Sequence, residues 1–127
     1  MRNFIKDCLR TESTLFCNLE DGEGKDYNKE RLIHACMGMQ TETAEFTDAL
    51  KKAIFYGKTL DVVNLKEELG DLLWYVSQAM DELDTTYEIE MSRVIRKLKA
   101  RYPEKFTTEN AENRDLTKER EILEAKK

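Results

Sequence analysis

Apolar residues recur along this chain at helical rather than alternating spacing. Leu32, Ile33, Cys36, Met37, Met39, Ala49, Leu50, Ala53 and Ile54 follow a period of three to four. Asn28 offers a cap ahead of them and Gly57 a stop behind, which predicts a helix ending at about Tyr56. The turn Gly57-Lys58-Thr59-Leu60 leads to Asp61, a natural N-cap. A second long helix then runs from Val62 to about Leu83, carrying Val63, Leu69, Leu72, Leu73, Tyr75, Val76 and Met80. Thr85 or Thr86 caps a third, which Pro103 ends at about Tyr102. Residues 1–16 read as a short amphipathic segment with Phe4, Ile5, Cys8 and Leu9 on one side. Residues 18–27 are polar, carry two Gly and read as a loop. Beyond Pro103 the chain is strongly charged, with a helix expected from about Asn110 bearing Leu116, Ile122 and Leu123.

Short connections between long helices make them antiparallel neighbours, so the fold expected is all-α, an antiparallel helical bundle. Some helices are apolar over more than one stripe, which predicts burial against a second copy and a homodimer or higher oligomer. The expected organisation is one domain over residues 1–127: an N-terminal segment and loop (1–27), core helices (28–102) and a C-terminal arm (103–127). Five Gly and one Pro in 127 residues fit long uninterrupted helices.

A net charge of −5 gives no electrostatic footprint for nucleic acid. Cys8, Cys17 and Cys36 are odd in number and irregular in spacing, so reduced thiols are expected rather than a disulfide framework. No apolar run approaches the roughly 20 residues that span a bilayer, and no signal-peptide core is present. A cytoplasmic protein without membrane contact is the expectation.

Two carboxylate pairs carry the candidate chemistry. Glu42-Thr43-Ala44-Glu45 and Glu68-Leu69-Gly70-Asp71 each put two acids on one helix face. Counted outward from the turn near Lys58, the pairs face each other within about one helical turn of roughly 5 Å. Leu65, Leu69, Leu72, Leu73, Trp74 and Tyr75 surround the second pair. Clustered acids beside apolar side chains persist when a cation or protons neutralise them. An all-oxygen set suits Mg2+, with Mn2+ as a substitute. An ordinary solvated acidic face competes with that reading, because 26 Asp and Glu make such spacings common by chance. A di-iron bundle would need Glu-x-x-His on two helices, and the single His34 supplies none.

Other residues admit two readings each. Lys97 and Arg101 are spaced to meet phosphates, or belong to a solvated basic stripe with Arg93 and Arg96. Lys58 is a substrate contact or a helix-terminal charge. Glu67 is a base or an exposed acid. Gly38 permits close approach of a helix or ligand, His34 suits a core or interface position, and Trp74 and Tyr75 suit a core more than a stacking platform.

The order of these motifs resembles the all-α nucleoside triphosphate pyrophosphohydrolases of the MazG type, from His34 through Leu123. Glu42-x-x-Glu45 followed by Glu68-x-x-Asp71 carries the resemblance. So do Lys51 to Lys58 with Asn64 to Tyr75, Lys97 to Phe106 with its Arg101-Tyr102-Pro103, and Asn113 to Leu116 with Glu119-Arg120. The resemblance implies a helical bundle completed by oligomerisation, as a homodimer or homotetramer. It implies hydrolysis between the α and β phosphates of an NTP or dNTP, giving the monophosphate and pyrophosphate. It implies Mg2+ held by Glu42, Glu45, Glu68 and Asp71, with Lys97 and Arg101 near phosphates. The alternatives are a dUTP- or dCTP-selective enzyme, a phosphoribosyl-ATP-like pyrophosphatase, or a non-catalytic oligomerisation or binding module. One departure stands out: the family often has adjacent acids at the first motif, and here the earlier position is Thr41. Glu67 is the expected replacement base.

Overall fold

The computed structural model describes residues 3–125. Two long helices dominate it: α2, Lys29–Tyr56, and α3, Val62–Glu82. Before them stand α1, Phe4–Leu9, and the strands β1, Leu19–Glu20, and β2, Asp26–Tyr27. After them come α4, Tyr87–Arg101, α5, Thr108–Glu112, and α6, Leu116–Glu124. The all-α class expected from the spacing is the one observed, and the caps explain the boundaries. Asn28, Asp61 and Thr86 each accept a hydrogen bond from the backbone N–H three residues on. Gly57 closes α2 at φ 64°, the left-handed conformation that a Cβ disfavours.

Three local expectations need correction. Residues 18–27 are not a plain loop: β1 and β2 pair antiparallel, Leu19 opposite Tyr27 and Glu20 opposite Asp26. Asp21 organises the turn, accepting from the N–H groups of Glu23 and Lys25 at 2.9 and 3.0 Å and from the Tyr27 hydroxyl at 3.1 Å. Those backbone donors hold its carboxyl below the usual range. Of the amphipathic segment expected at 1–16, residues 1 and 2 lie outside the described residues, and the rest forms α1 alone, whose residues are exposed. The arm forms two helices rather than one, because Thr107 and Asp115 cap separate starts.

α2 and α3 pack as an antiparallel hairpin, and the core lies between them. Gly38 sits under the Tyr75 ring, where any Cβ would overlap the aromatic carbons. At the end away from Gly57, Arg31 pairs with Asp81 at 2.6 Å and Glu82 at 3.2 Å. Glu82 also accepts from the Asn28 N–H at 2.6 Å. α4 starts against α3 through Tyr87, whose hydroxyl donates to the Leu73 carbonyl at 2.6 Å. α6 packs back onto the end of α4. Ala35 is the one buried apolar side chain among the described residues, while Leu69, Leu73, Trp74, Ile95 and Leu98 stay exposed. No helix of the described residues is long and apolar enough to cross a membrane.

Candidate functional site

The carboxylates converge where α2 and α3 face each other. Glu42, Glu68 and Asp71 each offer an oxygen, and these oxygens all lie within 4.8 Å of one another. The antiparallel crossing brings Glu42 to Asp71, and the i, i+3 spacing on α3 adds Glu68. Glu68 is buried at 5% exposure, Glu42 is half-buried and Asp71 is exposed. Burial first, and then repulsion from Glu45, Asp71 and Glu68, push the Glu42 carboxyl above its usual range. A hydrogen bond from Thr41 opposes this. Among the described residues no Lys, Arg or His forms an ion pair with Glu42, Glu45, Glu68 or Asp71. A buried carboxylate beside two others, with no cationic side chain, suits a divalent cation bound through oxygen.

Glu68 does have one neutral partner. Asn64 lies one turn earlier on α3, and its Nδ2 donates to Glu68 Oε1 at 2.6 Å. The Asn64 backbone N–H is itself fixed by the Asp61 cap at 3.0 Å. Sequence reasoning passed over Asn64, although its i, i+4 spacing to Glu68 was readable.

Two depressions flank the carboxylates. A cleft of about 550 Å³ on the Gly57 side includes Glu45, Asp48, Lys52, Lys58, Asn64 and Glu68 in its lining. A shallower one on the other side is walled by Glu42, Asp71, Trp74 and Tyr75. Lys52 is paired with Asp48 at 2.6 Å. Trp74 and Tyr75 meet edge to face, with centroids 4.9 Å apart. His34 flanks Tyr75 at 5.7 Å, and its Nδ1 lies 3.3 Å from the Gln78 amide nitrogen.

Of the residues singled out in the sequence, Glu42, Glu68 and Asp71 come together, and Glu45 and Lys58 line the adjoining cleft. Glu67 is exposed and lines neither depression. Lys97 and Arg101 line neither one either. Arg101 is instead gripped by Glu119, donating from Nε at 2.7 Å and Nη2 at 2.6 Å. Arg114 joins the same carboxylate at 2.7 Å. Glu119 is buried at 6% exposure, and hydrogen bonds from Arg101 first, then Arg114, lower its carboxyl to about 2.

Residues 32–106 match the model of the MazG nucleotide pyrophosphohydrolase domain, and that span contains both carboxylate pairs. The chain is similar to the Gene 37 protein of Mycobacterium phage L5, at 31% identity over 87 residues. The alignment covers 63% of this chain and 74% of that protein. No solved structure matches. With an all-helical hairpin, a carboxylate cluster at its centre and more than half its length matched, the chain belongs to the MazG nucleotide pyrophosphohydrolase family.

Proposed function

We propose that this protein is a magnesium-dependent pyrophosphohydrolase that cleaves the α–β phosphoanhydride of an NTP or dNTP, giving the monophosphate and pyrophosphate. Family membership supports nucleotide pyrophosphohydrolysis. The observation that carries the rest is the set of Glu42, Glu68 and Asp71 oxygens within 4.8 Å, with no cationic side chain among the described residues in an ion pair with them. Those three would hold Mg2+, with Mn2+ able to replace it. A bound divalent cation supplies neutralisation of phosphate charge and an acidified water.

The protein's own groups do the rest. Asn64 fixes one oxygen of Glu68, leaving the other to turn to the cluster. Glu45 lines the cleft without joining the tight trio, and it accepts the proton of the attacking water at a carboxylate oxygen. Lys58 and Lys52 offer positive charge to the phosphates from the same cleft. The molecule works as a homodimer or homotetramer in this reading, since Leu69, Leu73, Val94, Ile95 and Leu98 expose more apolar surface than an isolated chain of this size would leave uncovered. Lys97 and Arg101 meet phosphates only within such an assembly.

A panel of NTPs and dNTPs, incubated with the protein and Mg2+, tests the proposal by separate assays for pyrophosphate and orthophosphate. Pyrophosphate and monophosphate in equal amounts are expected, with no release in EDTA. Orthophosphate alone would refute the bond assignment. No release from any nucleotide would leave a helical binding module.

A further inference from the structure

We propose that the N-terminal segment of this chain binds a second copy of the protein. α1 lies in that copy's groove between α3 and the start of α4, and the two copies exchange their segments reciprocally. The contact uses none of the apolar residues that carry the assembly reading above, and it is independent of the chemistry proposed there.

The segment carries apolar side chains that its own chain leaves bare. Phe4, Ile5, Cys8 and Leu9 form one stripe of α1, and Leu15 and Phe16 follow in the non-helical stretch beyond it. Residues 3–17 are exposed throughout. α1 has six residues, far below the roughly 12–15 at which a helix holds by itself in water, so it needs a surface to lie on.

The groove offers that surface. It measures about 530 Å³, and Met39, Val76, Met80, Leu83 and Ile89 are among its apolar lining. Charge matches as well. The groove's charged residues are Asp84, Glu90 and Arg93. Arg93 pairs with Glu90 at 3.4 Å, and Asp84 forms no ion pair among the described residues, so the groove is left with one negative charge. α1 and its cap carry Lys6, Asp7 and Arg10, a net positive set. Lys6 and Arg10 stand one turn apart on the same flank of the apolar stripe.

Root and seat share one end of the molecule. The Asn28 N–H donates to Glu82 at 2.6 Å, so the chain enters α2 beside the end of α3, where Leu83 and Asp84 border the groove. Residues 10–18 separate α1 from β1, and nine residues extend up to about 30 Å. Two copies meeting at this end lie within each other's reach, and one contact made twice about a two-fold axis closes on itself. Phe4, Ile5, Leu9, Leu15 and Phe16 together expose on the order of 500 Å² of apolar surface. Two such segments and the surfaces beneath them bury about 2,000 Å², the size of a stable specific interface.

Cys8 lies within the stripe and gives the test its chemistry. In the full chain with Cys17→Ser and Cys36→Ser, Ala79→Cys places a second thiol in the groove. Oxidation with diamide is expected to join Cys8 of one chain to the introduced thiol of another. The product should run as a dimer on a denaturing gel and be absent without Ala79→Cys. A link within one chain, found by peptide mapping of the monomer band, means that the segment covers its own groove and overturns the proposal. A ladder beyond two chains overturns reciprocal exchange. Sedimentation equilibrium measures the contact without cross-linking. Phe4→Ser should raise the dissociation constant of the assembly about 10- to 100-fold with far-ultraviolet circular dichroism unchanged. Arg10→Glu should raise it about two- to fivefold, an effect that fades at high salt. An oligomer that ignores Phe4→Ser and forms no link overturns this inference alone and leaves the assembly through α3 and α4 standing. A monomeric wild type overturns both. Neither result bears on pyrophosphate release.

Discussion

Glu68 and Glu119 are buried to nearly the same degree, at 5% and 6% exposure, but their surroundings are opposite. Glu119 receives hydrogen bonds from two arginines, one from the end of α4 and one from the linker before α6. Its charge is satisfied within the chain. Glu68 receives one amide hydrogen bond and faces two more carboxylates. A buried charge without a counter-charge is costly, and folding does not tolerate it without a purpose. The difference separates a carboxylate whose charge the chain balances from one whose charge it does not. Burial by itself would have graded them alike.

The sharpest way to break this comparison is to neutralise the unbalanced side. Asp71→Asn should cut pyrophosphate release by more than about 100-fold, because losing even an outer partner of a metal ligand costs about 10- to 100-fold. Its far-ultraviolet circular dichroism should match the wild type. Mn2+ should raise the melting temperature of the wild type but not of this variant. Wild-type-like turnover would return the cluster to an ordinary acidic face. Next in size is Asn64→Ala, which frees Glu68 Oε1. Direct titration with Mn2+, followed by the loss of its free-ion paramagnetic signal, should show affinity about 10- to 100-fold weaker.

Glu119→Gln tests the other side and should act on stability. Removing one charge leaves Arg101 and Arg114 facing a neutral amide, and the melting temperature should fall on the order of 10 °C. The pH dependence has a definite sign. Glu119 titrates at about 2 in the fold and ordinarily at 4.5. Its stabilising effect is therefore complete above the ordinary value and is lost as pH falls from there toward 2. Urea midpoints measured between pH 5 and pH 2.5 should decline more steeply in the wild type than in Glu119→Gln. Equal slopes would remove the clamp as a source of acid sensitivity. The smallest expected effect comes from Gly38→Ala, where the added methyl must displace Tyr75. Overpacking of this kind costs about 1–3 kcal/mol, readable in chemical denaturation.

How much of this was legible beforehand follows from how local each signal is. The bounds of α2, α3 and α4 were readable because Asn28, Asp61, Thr86 and Gly57 act within a turn of themselves. The meeting of Glu42 with Glu68 and Asp71 was readable because a short turn between two helices fixes register. The β1–β2 pair was not, since two-residue strands carry no periodicity and depend on the Asp21 side chain. Gly38 was readable as a close approach but not as a seat for Tyr75, which lies 37 positions away. Arg101 shows the limit most clearly. Its place in a basic motif suggested phosphate, while its partner in this structure is Glu119, 18 residues on in the C-terminal stretch, which no local pattern paired with it.

The clasp of Arg31 on Asp81 and Glu82 closes the hairpin at the end opposite Gly57. Ties at both ends oppose sliding of one rod along the other. Slippage of α2 past α3 by one residue would shift it about 1.5 Å and turn its side chains by about 100°. The tie therefore works as a registration pin, and the entropy of aligning the acids is spent during folding rather than at each encounter with ligand.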